Sequence, residues 1–216
     1  MRCCRLILLL LMLLFTGCIV AAILLPIYRK DSNETVLTKY RVFFWFNESI
    51  NVSGTPPSTL ILRTYSFAIL CQKARIFFIV MAILSVVAAA IAGVACLTLA
   101  CWTMAGYNIS LGVTSLLLTI FAMLFSVVVL AAAVFVFKTD FCVSEGMAYL
   151  QAPRTNGYRL GEGFFLLCIA VGGFLLLVVM QALCLCCDCR SRPVRSGRAC
   201  DTKNDTSNLQ NGGPYP

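Results

Sequence analysis

Polar and apolar positions along this chain separate on the scale of whole segments. Four runs, Leu6–Ile27, Ile76–Thr103, Ile109–Phe137 and Phe164–Cys187, contain no Asp, Glu, Lys or Arg. Each is longer than the roughly 18–20 residues with which a helix crosses about 30 Å of hydrocarbon. A core helix of a water-soluble domain keeps a polar stripe toward solvent, and these runs have none to offer. The pattern predicts an all-α membrane protein, a four-helix bundle with transmembrane helices at residues 6–27, 76–103, 109–137 and 164–187.

The segments between the runs read differently. Residues 1–5 are a short basic start, and 28–75 form the one loop large enough to fold. Within it Thr38–Phe46 and Ser58–Phe67 have the aromatic and β-branched character of strands. Between them Asn47–Pro57, with Gly54, Pro56 and Pro57, reads as a turn-rich connection. A small sheet resting on the helix ends is expected. Residues 104–108 are too few for anything but a tight turn, so the second and third helices form an antiparallel hairpin. Trp102 and Tyr107 flank that turn, where an interfacial aromatic belt is expected. Residues 138–163 make a second loop, and 188–216 a tail too polar to build a core, expected to be disordered. The start also fits a signal peptide, but its apolar run outlasts the roughly 7–15 residues of an h-region, and retention is expected.

Charge changes the picture little. A formal net charge of +8 on a chain that is 60% hydrophobic and 12% charged would suggest nucleic acid only in a soluble domain. Here the basic residues sit in loops and at helix ends, and no nucleic-acid partner is expected. Their distribution leans against placing the termini inside, because the two long loops hold more Lys and Arg than the terminal segments do. Glycosylation acceptors point the other way. Asn33, Asn47 and Asn51 each begin an Asn-x-Ser/Thr triplet, all in the first loop. The expected topology puts both long loops outside, both termini in the cytoplasm, and the protein at the plasma membrane.

Small residues mark expected helix contacts: Ser85, Ala89 and Gly93 recur every fourth residue on the second span, with Ala122, Ser126, Cys168 and Gly172 as matching faces. Together they suggest a left-handed bundle. Of the 13 cysteines, Cys71 and Cys142 lie near the outer ends of the helical hairpin and are a disulfide candidate, two free thiols being the alternative. Cys3, Cys4, Cys184, Cys186, Cys187 and Cys189 gather at the opposite membrane face. They read as S-acylation candidates, the alternatives being unmodified thiols or a metal tract of poor spacing. The chain has no His, so Ser-His and Cys-His nucleophile pairs and HExxH zinc sites are impossible. Neither enzyme activity nor a cofactor or metal is expected.

Two motifs carry a family resemblance. Val42-x-Phe44-Trp45-Phe46 resembles the aromatic centre of the amastin signature, and the run Gly157-Tyr158-Arg-Leu-Gly161-Glu-Gly163-Phe164 resembles the entry to the last amastin helix. With the four spans, the chain resembles the amastins, surface glycoproteins of kinetoplastid parasites with claudin-like topology. It departs from them at Arg41 and Asn51, which replace the flanking cysteines of the signature, and at Phe43 and Glu48. The resemblance is therefore to a divergent member without the family's intraloop disulfide. It implies a surface role in contact with host membranes, or in ion homeostasis.

The expected function is a non-enzymatic surface glycoprotein whose first loop contacts a neighbouring or host membrane or protein. The alternative is a subunit of an oligomeric channel or transporter, which charge-free spans disfavour. A weaker reading is an adaptor that clusters proteins through acylated cysteines. The lipid bilayer is the expected partner of such spans, and a homo-oligomer is compatible with them. For Trp45 and its aromatic neighbours, core packing of the sheet and direct adhesion are both open.

Overall fold

The computed structural model describes residues 2–32, 37–53, 58–69, 71–105, 109–141 and 153–190. It contains four helices long and apolar enough to cross a membrane: α1 (Arg2–Leu24), α2 (Gln72–Ala105), α3 (Ile109–Lys138) and α4 (Glu162–Arg190). Neighbours pack in cyclic order, α1 on α2, α2 on α3, α3 on α4 and α4 on α1. At 34 residues α2 is about 51 Å long, well beyond the hydrocarbon it needs to span. The outward faces carry Leu10, Leu97, Phe121 and Leu175, each more than half exposed. Such a belt is stable against lipid tails and unstable against water.

Burial along the helices repeats every 3.5 residues. On α2 the buried positions run Ala74, Phe78, Met81, Ser85, Ala88, Ala92, Ala95, Leu99, Trp102, with Ala82 buried beside Met81. On α3 they run Gly112, Ser115, Thr119, Ala122, Ser126, Val129, Ala133, Val136. Alternating steps of three and four are the seam of coiled-coil packing, the repeat that goes with left-handed coiling. The seam corrects the expected stripe. Ser85 lies in it, but Ala89 is only partly buried, and a Cβ on Gly93 would meet nothing within 4 Å. A strict four-residue repeat drifts off a 3.5-residue seam, and so both rotate away. Ala122 and Ser126 are buried, whereas Gly172 faces open space. The small residues of the α2–α3 seam permit close approach; Ser126 donates within its helix to Ala122 O and Thr119 to Ser115 O, while Ser115 donates across the seam to Ala95 O of α2 at 3.4 Å. Gln181 on α4 reaches Thr119 across the bundle at 3.3 Å.

At one end of the bundle lies a five-stranded antiparallel sheet, order β4-β3-β2-β1-β5. Its strands are β1 (Tyr28–Ser32), β2 (Leu37–Val42), β3 (Phe46–Ser53), β4 (Ser58–Tyr65) and β5 (Arg159–Leu160). Two of these, β1 and β5, go beyond the expected strands. The stretch Thr38–Phe46 does not form one strand but ends β2, turns at Phe44–Trp45 and opens β3. Most of the expected turn-rich connection is β3 itself, where Asn47, Ser49, Asn51 and Ser53 alternate with Phe46, Glu48, Ile50 and Val52. Trp102 is also corrected. It is 1% exposed and turned into the bundle, not toward a lipid interface, because Arg5 on α1 stacks over its ring at 4.4 Å and Gly112 on α3 leaves it room.

The sheet joins the bundle through backbone contact. Pro26 stops α1, after which Ile27 donates to Val42 O at 2.7 Å. Gly161 donates to Ile27 O at 2.6 Å and Gly163 to Pro26 O at 3.0 Å. A Cβ on Gly161 would lie 2.3 Å from Pro26 O, and one on Gly163 2.7 Å from Leu25 O. Neither backbone can yield. Gly161→Ala is therefore expected to destabilise the detergent-solubilised protein by about 1–3 kcal/mol. Gly93→Ala, into open space, is expected to be neutral or to gain up to about 1 kcal/mol. Thermal unfolding of the two variants side by side checks the pair.

Candidate interaction surface

The β2–β3 turn is the part of the sheet that enters the bundle. Phe43 N–H donates to Phe46 O at 2.9 Å, which closes a two-residue hairpin loop at Phe44 and Trp45. Phe44 is 1% exposed. Its ring borders a space shared by all four helices, with Ile19 and Ala22 from α1, Ser85 and Ala88 from α2, Val129 from α3 and Leu167 from α4. Ser66 holds the turn in place: its N–H donates to Trp45 O at 2.9 Å and its hydroxyl to Phe44 O at 3.1 Å. Full burial of one such aromatic contributes roughly 1.5–3 kcal/mol.

Tyr28 makes the second anchor. It is fully buried, and its hydroxyl donates to Ala133 O on α3 at 2.5 Å. Burial pushes this phenol above the ordinary tyrosine range. Cys71, just before α2, is fully buried and disulfide-bonded. It belongs to the same core cluster as Tyr28, Phe44 and Phe141, and Phe141 packs on Phe77 with ring centroids 5.5 Å apart. Cys142, its expected partner, lies outside the described residues.

Around these anchors the aromatic residues divide. Val42 and Phe44 are buried, whereas Trp45 is 43% exposed and no part of the sheet core. Phe46 stacks on Phe43 at 4.5 Å, meets the edge of Tyr65 at 6.4 Å and lies under Arg63 at 5.3 Å. Arg63 also donates to the buried carboxylate of Glu48 at 3.0 Å. Tyr65 in turn stacks on Phe67 at 5.3 Å. Tyr65 and Phe67 thus present one aromatic surface, and Trp45 is exposed at the neighbouring turn. Along β4 Leu60, Ile61 and Leu62 are all more than half exposed, and the alternation of the strand puts Ile61 on the face of Tyr65 and Leu60 and Leu62 on the other. β4 is the terminal strand of the sheet among the described residues.

The opposite face of the sheet forms a groove of about 350 Å³, bordered by Tyr40, Val42, Asn47, Ser49, Leu62 and Tyr158. Burial, and secondarily the Tyr40 phenol, pushes Tyr158 up. Asn47 and Asn51 therefore stand on β3 rather than in a solvated turn. Asn47 is half-buried in the groove, and Asn51 Oδ1 is buried with no hydrogen-bond partner. Asn33 lies outside the described residues. Of the helix-entry motif, Gly157 takes a left-handed φ of 76°, Tyr158 borders the groove, and Gly161 and Gly163 make the backbone contacts above.

The other end of the bundle holds the cysteine cluster. Cys4 and Cys184 face each other, while Cys186 and Cys187 are exposed. The side chains of Cys3 and Cys189 lie outside the described residues. Arg5 forms an ion pair with Asp188 there, so the basic start is part of α1 rather than a flank to it. Sequence reasoning missed Arg5, Ser66 and Gln181. A polar residue inside an apolar run was the available signal for Gln181, but nothing local singled out the other two. Among the described residues no three His, Cys, Asp or Glu side chains gather closely enough to hold a metal ion. No protein-family model and no curated protein matches the chain.

Two expectations follow. Phe44→Ala should cost about 3–5 kcal/mol of stability, and Trp45→Ala less than about 1 kcal/mol, read by thermal unfolding in micelles. Tyr28, with its folded pKa raised, binds its proton more tightly in the folded state. Its contribution is therefore complete below about pH 10 and is lost as pH rises beyond. Tyr28→Phe should lower stability at neutral pH by about 0.5–1.5 kcal/mol and flatten that alkaline decline.

Proposed function

We propose that this chain is a non-enzymatic, multi-pass surface glycoprotein whose sheet end contacts a protein surface on a neighbouring or host membrane. The observation that carries the reading is an edge strand with exposed apolar residues on both faces, Leu60 and Leu62 on one and Ile61 and Tyr65 on the other, with Trp45 and Phe67 exposed near its end. Outside a membrane, exposed apolar surface of this extent marks an interaction site. A terminal strand adds a row of backbone donors and acceptors to it. Phe44 and Tyr28 meanwhile hold the sheet rigidly on the bundle, so that the surface is presented and not merely tethered.

In this reading the sheet lies outside the cell and both termini inside, at the plasma membrane. Cys142 is the proposed partner of the disulfide-bonded Cys71, supported by its neighbour Phe141 sitting in the cluster with Cys71. The family proposal remains the amastins, supported by Val42–Phe46 and Gly157–Phe164. Phe44 gives the aromatic motif a physical task that would serve such a surface protein, and it fills the bundle end that an axial pore would need.

Proteoliposomes bearing the purified chain, mixed with cells or with vesicles displaying host surface proteins, test the reading. The double variant Leu60→Ser, Leu62→Ser should bind at least about tenfold more weakly, the loss expected when some 1.4 kcal/mol or more of apolar contact is removed. Its thermal stability should stay near that of the parent. Equal binding by parent and variant would sink the proposal.

A further inference from the structure

The end of the bundle remote from the sheet carries a thiol pair for which the surface role has no use. Cys4 on α1 and Cys184 on α4 place their sulfurs 2.9 Å apart, one thiol donating to the other. Both are free thiols and only partly buried. The approach is held by its surroundings. Arg5 follows Cys4 directly, Asp188 lies one helical turn beyond Cys184, and the two form an ion pair across the same α1–α4 crossing. Trp102 on α2 closes over the Arg5 guanidinium at 4.4 Å. A groove of about 420 Å³ opens onto both thiols beside Met180, Leu183 and Cys187. A small neutral oxidant can therefore reach sulfurs that are already in contact.

We propose that Cys4 and Cys184 form a reversible disulfide, an oxidation-dependent staple between α1 and α4, with hydrogen peroxide as the class of oxidant. One sulfur attacks a peroxide oxygen, gains a hydroxyl group as sulfenic acid, and water leaves. The second sulfur then attacks the first, the S–O bond breaks, and a second water leaves. Two thiols and one peroxide become one disulfide and two waters, the two electrons passing from sulfur to oxygen. A small dithiol reductant reverses the bond. Position separates this pair from its neighbours. A bond between Cys184 and Cys187 would join successive turns of α4 and constrain nothing, whereas Cys4–Cys184 pins two helices. A stapled pair also cannot carry acyl chains, which leaves the exposed Cys186 and Cys187 as acceptors.

The full-length protein, purified reduced in detergent micelles, is treated with hydrogen peroxide, alkylated and mapped by mass spectrometry without reduction. The expected result is a linked Cys4–Cys184 peptide pair, lighter by two hydrogens, with loss of alkylation at both sites and its recovery after dithiothreitol. In Cys4→Ser, Cys184 should regain its label after the same treatment. Should that variant fail to fold, the map of the parent protein decides alone. Full alkylation of both thiols after peroxide, or a Cys184–Cys187 bond in their place, would overturn the staple.

Discussion

One aromatic ring makes a single body of the two parts of this molecule. Helices in lipid gain nothing from hiding apolar surface from one another, since the tails around them are as apolar as leucine. The bundle must therefore be held by packing and by buried hydrogen bonds. At its sheet end that packing is completed by Phe44, which comes from the loop and not from a helix. The same turn fixes the sheet, because Ser66 bonds both turn carbonyls and Val42 receives the chain leaving α1. Without that ring, the sheet-end mouth of the bundle would be unfilled and the sheet would rest on Tyr28 and the backbone contacts at Pro26 and Ile27.

The two ends of the bundle solve a common problem in different ways. Near the sheet, Phe44, Tyr28 and Cys71 close the core with rings, one hydroxyl and a disulfide-bonded cysteine. At the far end, Arg5, Asp188 and Trp102 tie three helices together, and Gly112 on the fourth makes the space for the indole. Within the helices charge occurs only near the ends, where Arg5 pairs with Asp188 and Glu162 with Arg29. Between the ends lies a heptad seam of small residues with Thr119 and Gln181 at its polar layer. Each site proposed above draws on this frame: the exposed strand edge needs a rigid sheet, and the thiol pair needs a fixed α1–α4 crossing.

Legibility in the sequence followed the range of each interaction. The four spans were legible because a bilayer requires long uncharged runs, whatever the neighbours are. Strand β4 was legible from composition, but β1 and β5 were not: β1 is a largely charged run that pairs along its whole length with β2, and β5 exists because Leu160 and Arg159 meet Tyr28 and Arg29 across more than half the chain. The alternation in Asn47–Ser53 was present in the residues, and the nearby Gly and Pro drew attention from it. The aromatic motif was recognised as a unit, yet a two-residue turn sends Phe44 inward and Trp45 outward, and residue type does not distinguish them. Gly161 and Gly163 stood out as a motif, while their partner, the backbone of Leu25–Ile27, has no sequence signature. Arg5 and Asp188 could be paired only once α1 and α4 were known to be adjacent.

The most direct measurement concerns where the Phe44 ring lies. A photoreactive phenylalanine analogue at position 44 of the intact protein in nanodiscs, irradiated and mapped by mass spectrometry, reports its neighbours. Adducts should fall on helix residues such as Ile19, Ala22, Ser85, Val129 and Leu167, from all four spans. Adducts confined to lipid, or to residues of the sheet itself, would contradict the account.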